Sequence, residues 1–354
     1  MPEQNHIDTI VCGQIHRETI INRHNQVSVD HPGGGALYAA AGHAMFNENV
    51  GIVAKANSEF LINFSSSLQS RGFDITGITP STQSLRDMKY YHILSKDKWE
   101  TSNLKRHFYE LGHSIPKFLL QYDEFSRMPH QAVEPQNLHL LIADIPDRYL
   151  PARAALLTQL NFASHFACVP ALKKAGVDRI MMRSSPTYMC PGNLLQITKL
   201  LDGIDYFFTT EQEIKTLFRS RFDHYWMMLE MLNRFGAKNI LVKNSNKGCL
   251  LFHQGSTQIS QIPEYDGLYI DPIGVYDCFC GAFTACVLSG DYSTPECAIY
   301  ASAAASICNE GSGIAYILDS HRSILKLRAE LMMSELSSTT LSALSHAPND
   351  RRGL

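Results

Sequence analysis

The stretch that decides the fold is Asp271-Pro272-Ile273-Gly274-Val275-Tyr276-Asp277-Cys278-Phe279-Cys280-Gly281-Ala282-Phe283. It joins a glycine-containing loop to an apolar helix of small residues, with Asp277 in the first turn. Because the first backbone N–H groups of a helix have no partner within the helix, they are suited to bind an anion. The segment predicts an anion-binding loop beside a carboxylate, a combination that phosphoryl transfer uses. Taken alone, an Asp in a first turn is equally a capping residue.

Length and composition indicate a soluble globular chain without a strongly charged surface. The 354 residues are 45% hydrophobic and 18% charged, and the formal net charge is −3. No basic excess favours nucleic acid or a membrane surface, and no apolar run is long enough for a membrane span. The N-terminus has no features of a signal peptide. We therefore expect a cytoplasmic protein with no nucleic-acid or membrane partner.

The nine cysteines and fifteen histidines are dispersed along the chain. Neither Cys-x-x-Cys nor His-Glu-x-x-His occurs, so the sequence predicts no metal cage of a common spacing. The cysteines are expected to be buried, reduced thiols.

Short apolar strands alternate with helices, which is typical of a mostly parallel sheet covered on both faces. The predicted strands include 7–13, 50–54, 138–143, 179–182, 206–208, 240–242 and 248–253. The predicted helices are 36–46, 58–71, 152–160, 194–201, 211–218, 225–235, 277–289, 295–309 and 321–336. Strand-like pieces at 19–29, 88–94 and 106–111 interrupt this order and predict a small lid. We expect one domain over 1–336, with lid pieces at about 14–31 and 82–115, and a disordered tail over 337–354.

Motifs of the commonest doubly wound proteins are absent. The chain has no Gly-x-x-x-x-Gly-Lys-Ser/Thr loop, no Gly-x-Gly-x-x-Gly after a strand and no Gly-x-Ser-x-Gly elbow. These absences argue against a P-loop NTPase, a dinucleotide-binding domain and an α/β-hydrolase.

Two further features accompany Asp277. Gly33-Gly34-Gly35 opens an alanine-rich helix, which allows either close approach of a substrate or tight helix packing. Phe207-Phe208-Thr209-Thr210-Glu211-Gln212-Glu213 places acidic residues after a strand, where they also favour the helix dipole. Each has a purely structural explanation when considered by itself.

In this order and spacing, the three features resemble the ribokinase-like (PfkB-type) family of carbohydrate and nucleoside kinases. The resemblance extends over roughly residues 7–330 and includes the Asp-Pro-x-Gly-x-x-Asp motif at 271–277 and the helix near 301–305. It implies a three-layer α/β/α fold with a β lid. It also implies transfer of the γ-phosphoryl group of ATP to a hydroxyl of a small molecule, and a lid that often pairs two subunits as a homodimer.

The resemblance assigns expected roles. Asp277 matches the catalytic base, and Gly274, Val275 and Tyr276 match the anion hole that precedes it. Glu213 matches the acid that helps to hold Mg²⁺, and Asp271 a position linked in some members to a monovalent cation. The expected substrate-binding residues are Glu18, Gly33, Gly34 and Tyr38. The expected nucleotide-binding residues are Thr210, Lys243, Ser245, Gly248 and Ser302.

Several of these positions depart from the family pattern. Val275 and Tyr276 replace Ala and Gly of the anion hole, and Glu18 replaces Asp. Asn is expected where Thr210, Tyr38 and Ser302 stand. Two hypotheses follow, namely an active small-molecule kinase and a weak or inactive relative that binds a ligand or partner. A structural protein with an inherited fold is a third, which predicts no ATP binding.

Overall fold

A computed structural model describes residues 7–47, 49–81, 88–120, 139–219, 222, 225–244, 248–256 and 258–340. Ten strands of the described residues form one sheet, namely β1 Thr9–Cys12, β4 Val50–Ala56, β5 Asp74–Pro80, β8 Ala154–Leu157, β9 Arg179–Arg183, β10 Tyr206–Thr210, β11 Asn239–Asn244, β12 Gly248–His253, β13 Gln258–Ile262 and β14 Ser337–Thr340. Their order in the sheet is β14-β13-β12-β11-β10-β9-β8-β1-β4-β5.

The strands from β5 to β11 in this order are parallel, and β12, β13 and β14 extend the sheet in antiparallel fashion. The central strand β1 pairs with β4 on one side and β8 on the other, so that Thr9 lies opposite both Val50 and Ala154. Strands are therefore added on one side of β1 (β4, β5) and then on its other side (β8 onwards), which makes β1 the point where the strand order reverses. In open α/β sheets, ligands bind beyond the carboxyl ends of the strands at such a switch point.

Helices cover both faces of the sheet, which confirms the predicted three-layer α/β/α architecture. They are α1 Gly35–Ala44, α2 Ser58–Ser70, α3 Leu104–Glu110, α4 Phe162–Lys174, α5 Leu194–Leu201, α6 Glu211–Phe218, α7 Tyr225–Arg234, α8 Val275–Ser289, α9 Thr294–Asn309, α10 Ile314–Asp319 and α11 Arg322–Met333. Successive residues of a strand point to opposite faces. Accordingly, Val11 packs in the core beneath α1, α8 and α9, and Ile10 in the core beneath α4 to α7.

One predicted helix is wrong in type. Ala152–Leu160, predicted as a helix, contains strand β8, whose four residues are fully buried between β1 and β9. When every residue of a segment is apolar, its hydrophobic periodicity does not distinguish a buried strand from a buried helix. The helix begins later, where the side chain of Asn161 accepts a hydrogen bond from the Ser164 N–H at 2.8 Å.

Two predicted strands are also wrong. Within 138–143, predicted as a strand, the structure has a 3-10 turn at Ile142–Asp144, with Leu141 and Ile142 exposed. Leu138 lies outside the described residues. Residues 106–111 belong mainly to α3, whose buried side chains Leu104, His107 and Phe108 follow helical spacing. The segment has residues with strand propensity, but packing its apolar side chains against the lid favours a helix instead.

The lid pieces of the sequence prediction contain a second sheet of four strands, called the lid sheet below. It is ordered β3-β2-β6-β7, from β2 His16–Ile21, β3 Val27–Gly33, β6 Met88–Ser95 and β7 Lys98–Glu100. Residues 19–21 are buried in β2. The predicted disordered tail is wrong at its start, because Ser337–Thr340 form β14 and pair with β13 at the sheet edge. Residues 341–354 lie outside the described residues.

Helices α1 and α8 approach each other closely enough to exclude side chains. A Cβ on Gly281 would lie 1.8 Å from the Ala39 carbonyl oxygen, and one on Gly42 would lie 2.2 Å from that of Cys278. Glycine therefore allows backbone-to-backbone contact here. The contact aligns the two helices and brings their N-termini to the same edge of the sheet.

All nine cysteines are free thiols, and every one except the half-buried Cys190 is buried. Among the residues that the structure describes, no helix combines the length and apolar character needed to cross a bilayer.

Two fully buried histidines predict an acid-labile fold. His43 bonds Thr9 Oγ1 and the Asn47 carbonyl, His165 bonds Tyr188 Oη and the Thr158 carbonyl, and burial lowers the pKa of each to about 4. The unfolded chain, with a pKa near 6.5, takes up these protons first, so stability falls as the pH drops from about 6.5 to about 4. At pH 5 the loss of unfolding free energy is about 2 kcal/mol for each histidine.

Urea unfolding at pH 7 and pH 5 tests this prediction. The fall in unfolding free energy between the two pH values should be smaller in His43→Gln and in His165→Gln than in the parent. The exposed-site control His113→Gln should keep the parent's pH dependence, and equal effects in all three variants would contradict the assignment.

Candidate active site

The start of α8 carries unpaired backbone donors. Gly274 precedes the helix in the left-handed conformation, with φ of 75°. Its carbonyl accepts from the Cys278 N–H at 2.8 Å, and the Val275 N–H bonds back to Pro272 at 3.4 Å. Within the described part of the chain, the N–H groups of Gly274, Tyr276 and Asp277 have no hydrogen-bond partner. Three donors are thus directed to the space before the helix, as an anion hole requires.

Asp277 is 8% exposed and forms an ion pair with Arg183 at the carboxyl end of β9. A Cβ on Gly35 would lie 3.3 Å from Asp277 Oδ1, so the first turn of α1 adjoins the carboxylate. Burial lowers the pKa of Arg183, but the Asp277 charge outweighs it and raises that pKa above its ordinary value. Arg183 is consequently a permanent cation beside Asp277. The guanidinium Nε is buried without a partner among the described residues.

The side chain of Tyr276 is directed to the sheet. Its hydroxyl donates to the carbonyl oxygens of Thr209, at 2.8 Å, and Leu241, at 3.1 Å. The ring lies under two cations, 4.8 Å from the Arg183 guanidinium carbon and 5.7 Å from Lys243 Nζ. This orientation leaves the Tyr276 N–H open, and the ring holds both cations at the carboxyl ends of the strands.

Glu213 and Thr210 form a capping box at the start of α6. Thr210 Oγ1 accepts from the Glu213 N–H at 3.2 Å, and Glu213 Oε2 accepts from the Thr210 N–H at 2.9 Å. Ser184 also donates to Oε2, at 3.1 Å. Glu213 Oε1 is buried and has no partner among the described residues. A single carboxylate therefore caps the helix through one oxygen and offers the other to a cation.

A cleft beside Tyr276 is lined by three of the predicted nucleotide-binding residues, Lys243, Gly248 and Ser302. Burial, followed by the Arg183 charge, lowers the pKa of Lys243. Ser302 Oγ donates to the Pro263 carbonyl at 2.7 Å. Thr210 does not line this cleft, and Ser245 lies outside the described residues.

The carboxylate of Glu18 is buried, and both of its oxygens form hydrogen bonds within the protein. Its Oε1 accepts from the Gly34 N–H at 3.0 Å and bonds His16 Nε2 at 2.8 Å, and its Oε2 accepts from the Tyr38 hydroxyl at 2.8 Å. Burial raises the pKa of Glu18, but the hydrogen bond and charge of His16 outweigh it and lower that pKa. A Cβ on Gly33 would lie 2.0 Å from Glu18 Cδ. The carboxylate thus fills the space beneath Gly33.

Tyr38 occupies the space between Glu18 and α8. It is 1% exposed, and a Cβ on Gly274 would lie 2.0 Å from Tyr38 Cγ. The ring therefore packs on the glycine that starts the anion hole. In this conformation the four residues predicted to bind substrate contact one another, and both oxygens of Glu18 are already hydrogen-bonded.

Asp271 shapes the loop before α8. Its Oδ1 accepts from the Ile273 N–H at 2.9 Å, and its own N–H donates to the Asn309 carbonyl at 3.1 Å. Asp271 Oδ2 and Asn309 Oδ1 are buried and make no hydrogen bond of good geometry with the described residues, although the Ser312 hydroxyl lies near the Asp271 carboxylate. Burial raises the pKa of Asp271 to about 7, while the nearby Ser312 hydroxyl lowers that pKa in part. A cation at these oxygens would favour the ionised carboxylate.

Arg183 is the site residue that the sequence did not identify. It ends the apolar run Ile180-Met181-Met182 at the carboxyl edge of a central strand. A lone arginine at such an edge is a signal, but its partner is 94 positions away in the sequence. The structure brings Arg183, Lys243, Tyr276 and Asp277 together, while Glu18 and Tyr38 form a separate network on the far side of Gly274.

Comparisons with known proteins agree with this architecture. Residues 154–320 match the model of the pfkB family carbohydrate kinases. A ribokinase of Arabidopsis thaliana is 32% identical over 160 residues, which are 44% of this chain and 40% of the relative. The matched part therefore spans less than half the length of that curated relative.

Solved structures align over nearly the whole chain. Arabidopsis thaliana ribokinase complexed with ribose and ATP aligns with a TM-score of 0.65 and 19% identity. A putative ribokinase II of E. coli in complex with ATP and Mg²⁺ aligns with a TM-score of 0.63 and 16% identity. Each alignment covers 92% of this chain and 99% of the other. The part of this chain at 154–320 therefore resembles the pfkB family of carbohydrate kinases, and the whole chain has the fold of solved ribokinases.

Proposed function

We propose that this chain transfers the γ-phosphoryl group of ATP to a hydroxyl of a sugar, nucleoside or related small molecule. The observation that carries the proposal is the set of unpaired N–H groups at Gly274, Tyr276 and Asp277 beside the Asp277 carboxylate. These donors would stabilise charge on the transferring phosphoryl group. Asp277 would accept the proton of the attacking hydroxyl.

The cleft cations support a triphosphate ligand. Arg183 and Lys243 both lie against the Tyr276 ring, whose backbone N–H is one of the unpaired donors. Phosphoryl transfer depends mainly on positioning and on stabilisation of negative charge, for which such cations serve. Lys243, Gly248 and Ser302 line the cleft beside Tyr276, where they would contact the part of the nucleotide that extends beyond the anion hole.

Glu213 is suited to Mg²⁺, because its free Oε1 is a buried carboxylate oxygen without a partner in the described structure. Oxygen ligands are those that Mg²⁺ prefers, and it would neutralise phosphate charge when bound. Asp271 Oδ2 and Asn309 Oδ1 likewise fit a monovalent cation behind the loop. Thr210 would act indirectly, by holding Glu213 through the capping box.

The acceptor site requires a side-chain movement. Glu18 and Tyr38 hydrogen-bond each other, and the Tyr38 ring covers Gly274. A hydroxyl could reach Asp277 from this side after the Tyr38 ring rotates away, which would expose Glu18 and the Gly33–Gly34 turn to the acceptor. We propose that these four residues bind the acceptor in that open form.

A second function is a binding module without turnover. Two observations favour it, the Asp277–Arg183 ion pair and the Glu18–Tyr38 hydrogen bond, since both occupy groups that a kinase would present to substrates. Such a protein would bind nucleotide in the Lys243 cleft and signal occupancy. Pairing of two chains through the lid sheet stays a prediction for either function.

The experiment combines nucleotide binding with turnover on the full chain. We expect MgATP to raise the unfolding temperature, and ADP release to depend on one or more acceptors in a panel of sugars and nucleosides. Lys243→Met should weaken ATP binding about 10-fold, because it removes a cation from the cleft. Lys326→Met, on the exposed face of α11, is the matched control. Stabilisation by MgATP without turnover on any acceptor would support the binding module, and no binding at all would contradict both functions.

A further inference from the structure

The lid sheet carries a group of side chains that the proposed kinase site does not use. His92 on β6, Glu100 on β7 and His107 on α3 each offer one ligand atom, and these atoms lie within 4.8 Å of one another. His92 and Glu100 are directly opposite in the antiparallel β6–β7 pair. Facing residues of a strand pair present their side chains on the same face. His107 reaches that face from the helix packed against it.

The two imidazoles and the carboxylate are already close to one another. His107 Nε2 lies 3.1 Å from Glu100 Oε2, and the rings of His92 and His107 are 4.2 Å apart between centroids. His107 is buried, whereas His92 and Glu100 are half-buried. The group is therefore only partly accessible to water.

Two hydrogen-bonding details are those expected of metal-binding histidines. Tyr90 Oη lies 2.7 Å from His107 Nδ1 and thereby orients Nε2 towards Glu100. Metal-bound histidines are typically held in this way through their second nitrogen. His92 Nδ1 is buried without a hydrogen-bond partner among the described residues. Buried polar nitrogens are rarely left unpaired, so this atom calls for a partner.

From this geometry we infer that His92, Glu100 and His107 bind a divalent transition-metal ion, with Zn²⁺ the best match. Two imidazole nitrogens and one carboxylate oxygen are a common zinc donor set, with a fourth position left for water. Mg²⁺ and Ca²⁺ prefer oxygen ligands and fit the group less well. The ion joins the β6–β7 hairpin to α3 and so stabilises the lid, a role that does not depend on the proposed phosphoryl transfer.

The sequence alone did not reveal this group because its spacing is irregular. The ligands are 8 and 7 positions apart and follow no common zinc motif. The β6–β7 turn and the approach of α3 create the site.

The test is Zn²⁺ titration of the full chain by calorimetry, after treatment with EDTA and dialysis. We expect one tight equivalent per chain and a rise in unfolding temperature that grows with Zn²⁺ concentration. His92→Gln and Glu100→Gln should each weaken binding by at least about 100-fold, which exceeds the usual loss for an outer partner. His113→Gln, at an exposed lid histidine outside the group, is the matched control and should bind like the parent.

A second measurement needs no variant. Co²⁺ added to the metal-free chain should give the strong visible absorption of a four-coordinate site, and one equivalent of Zn²⁺ should remove it. The inference is overturned if no stoichiometric Zn²⁺ binding occurs, or if His92→Gln and Glu100→Gln leave binding intact. In those cases the approach of Glu100 to His107 is only a local polar contact within the lid sheet.

Discussion

Replacing Asp277 by Asn is expected to lower kcat for phosphoryl transfer by about 10²- to 10⁴-fold, which is the usual contribution of a general base. The amide preserves the size of the side chain but cannot accept the proton of the attacking hydroxyl. The unpaired N–H groups at the start of α8 remain, so ATP affinity should change by less than about 3-fold. Single-turnover kinetics and equilibrium ATP binding measure the two quantities separately.

Asp205→Asn is the matched control for that variant. Asp205 is also an ion-paired carboxylate, 2.8 Å from Lys238 Nζ, but it precedes β10 at the opposite edge of the sheet. Its loss should leave kcat unchanged. If Asp277→Asn retains the parent's rate within about 3-fold, Asp277 is not the base, and the proposal for this residue fails.

The Arg183→Met variant is expected to lose about 3 kcal/mol of unfolding free energy at pH 7. The reason is that Met leaves the Asp277 carboxylate, which is 8% exposed, without its counter-charge. Removing both charges in Arg183→Met with Asp277→Asn should recover most of this loss, because no uncompensated charge is then buried. Urea unfolding of the parent, both single variants and the double variant measures the coupling.

Arg179→Met provides the control for the arginine. Arg179 begins the same strand and is exposed, so its replacement should change stability by no more than about 0.5 kcal/mol. Additive losses in the double variant would mean that Arg183 and Asp277 are not energetically coupled. Weaker MgATP binding by Arg183→Met, relative to Arg179→Met, would further support a role for the guanidinium at the nucleotide phosphates.

The sequence predicted α8 and α9 closely because residues typical of helix ends bound these long segments: Gly274 and Gly290 flank α8, and Ser293 caps α9. The predictions 277–289 and 295–309 differ from α8 and α9 by two residues or fewer at each end. The prediction failed at Ala152–Leu160, where the residues of β8 are buried on both faces. Periodicity carries no information when every side chain of a segment is buried.

The sequence by itself determined the three-layer fold, the resemblance to ribokinase-like kinases and the candidate loop at Asp271–Asp277. These depend on local patterns, since a glycine before a helix and an acid in its first turn lie within a few positions of each other in the sequence. The tertiary structure decided the direction of Tyr276, the pairing of Arg183 with Asp277, and the closure of Glu18 by Tyr38. Each depends on distant segments meeting at the carboxyl ends of parallel strands. That meeting is produced by helix packing such as the contact of Gly281 with Ala39, which no local pattern specifies.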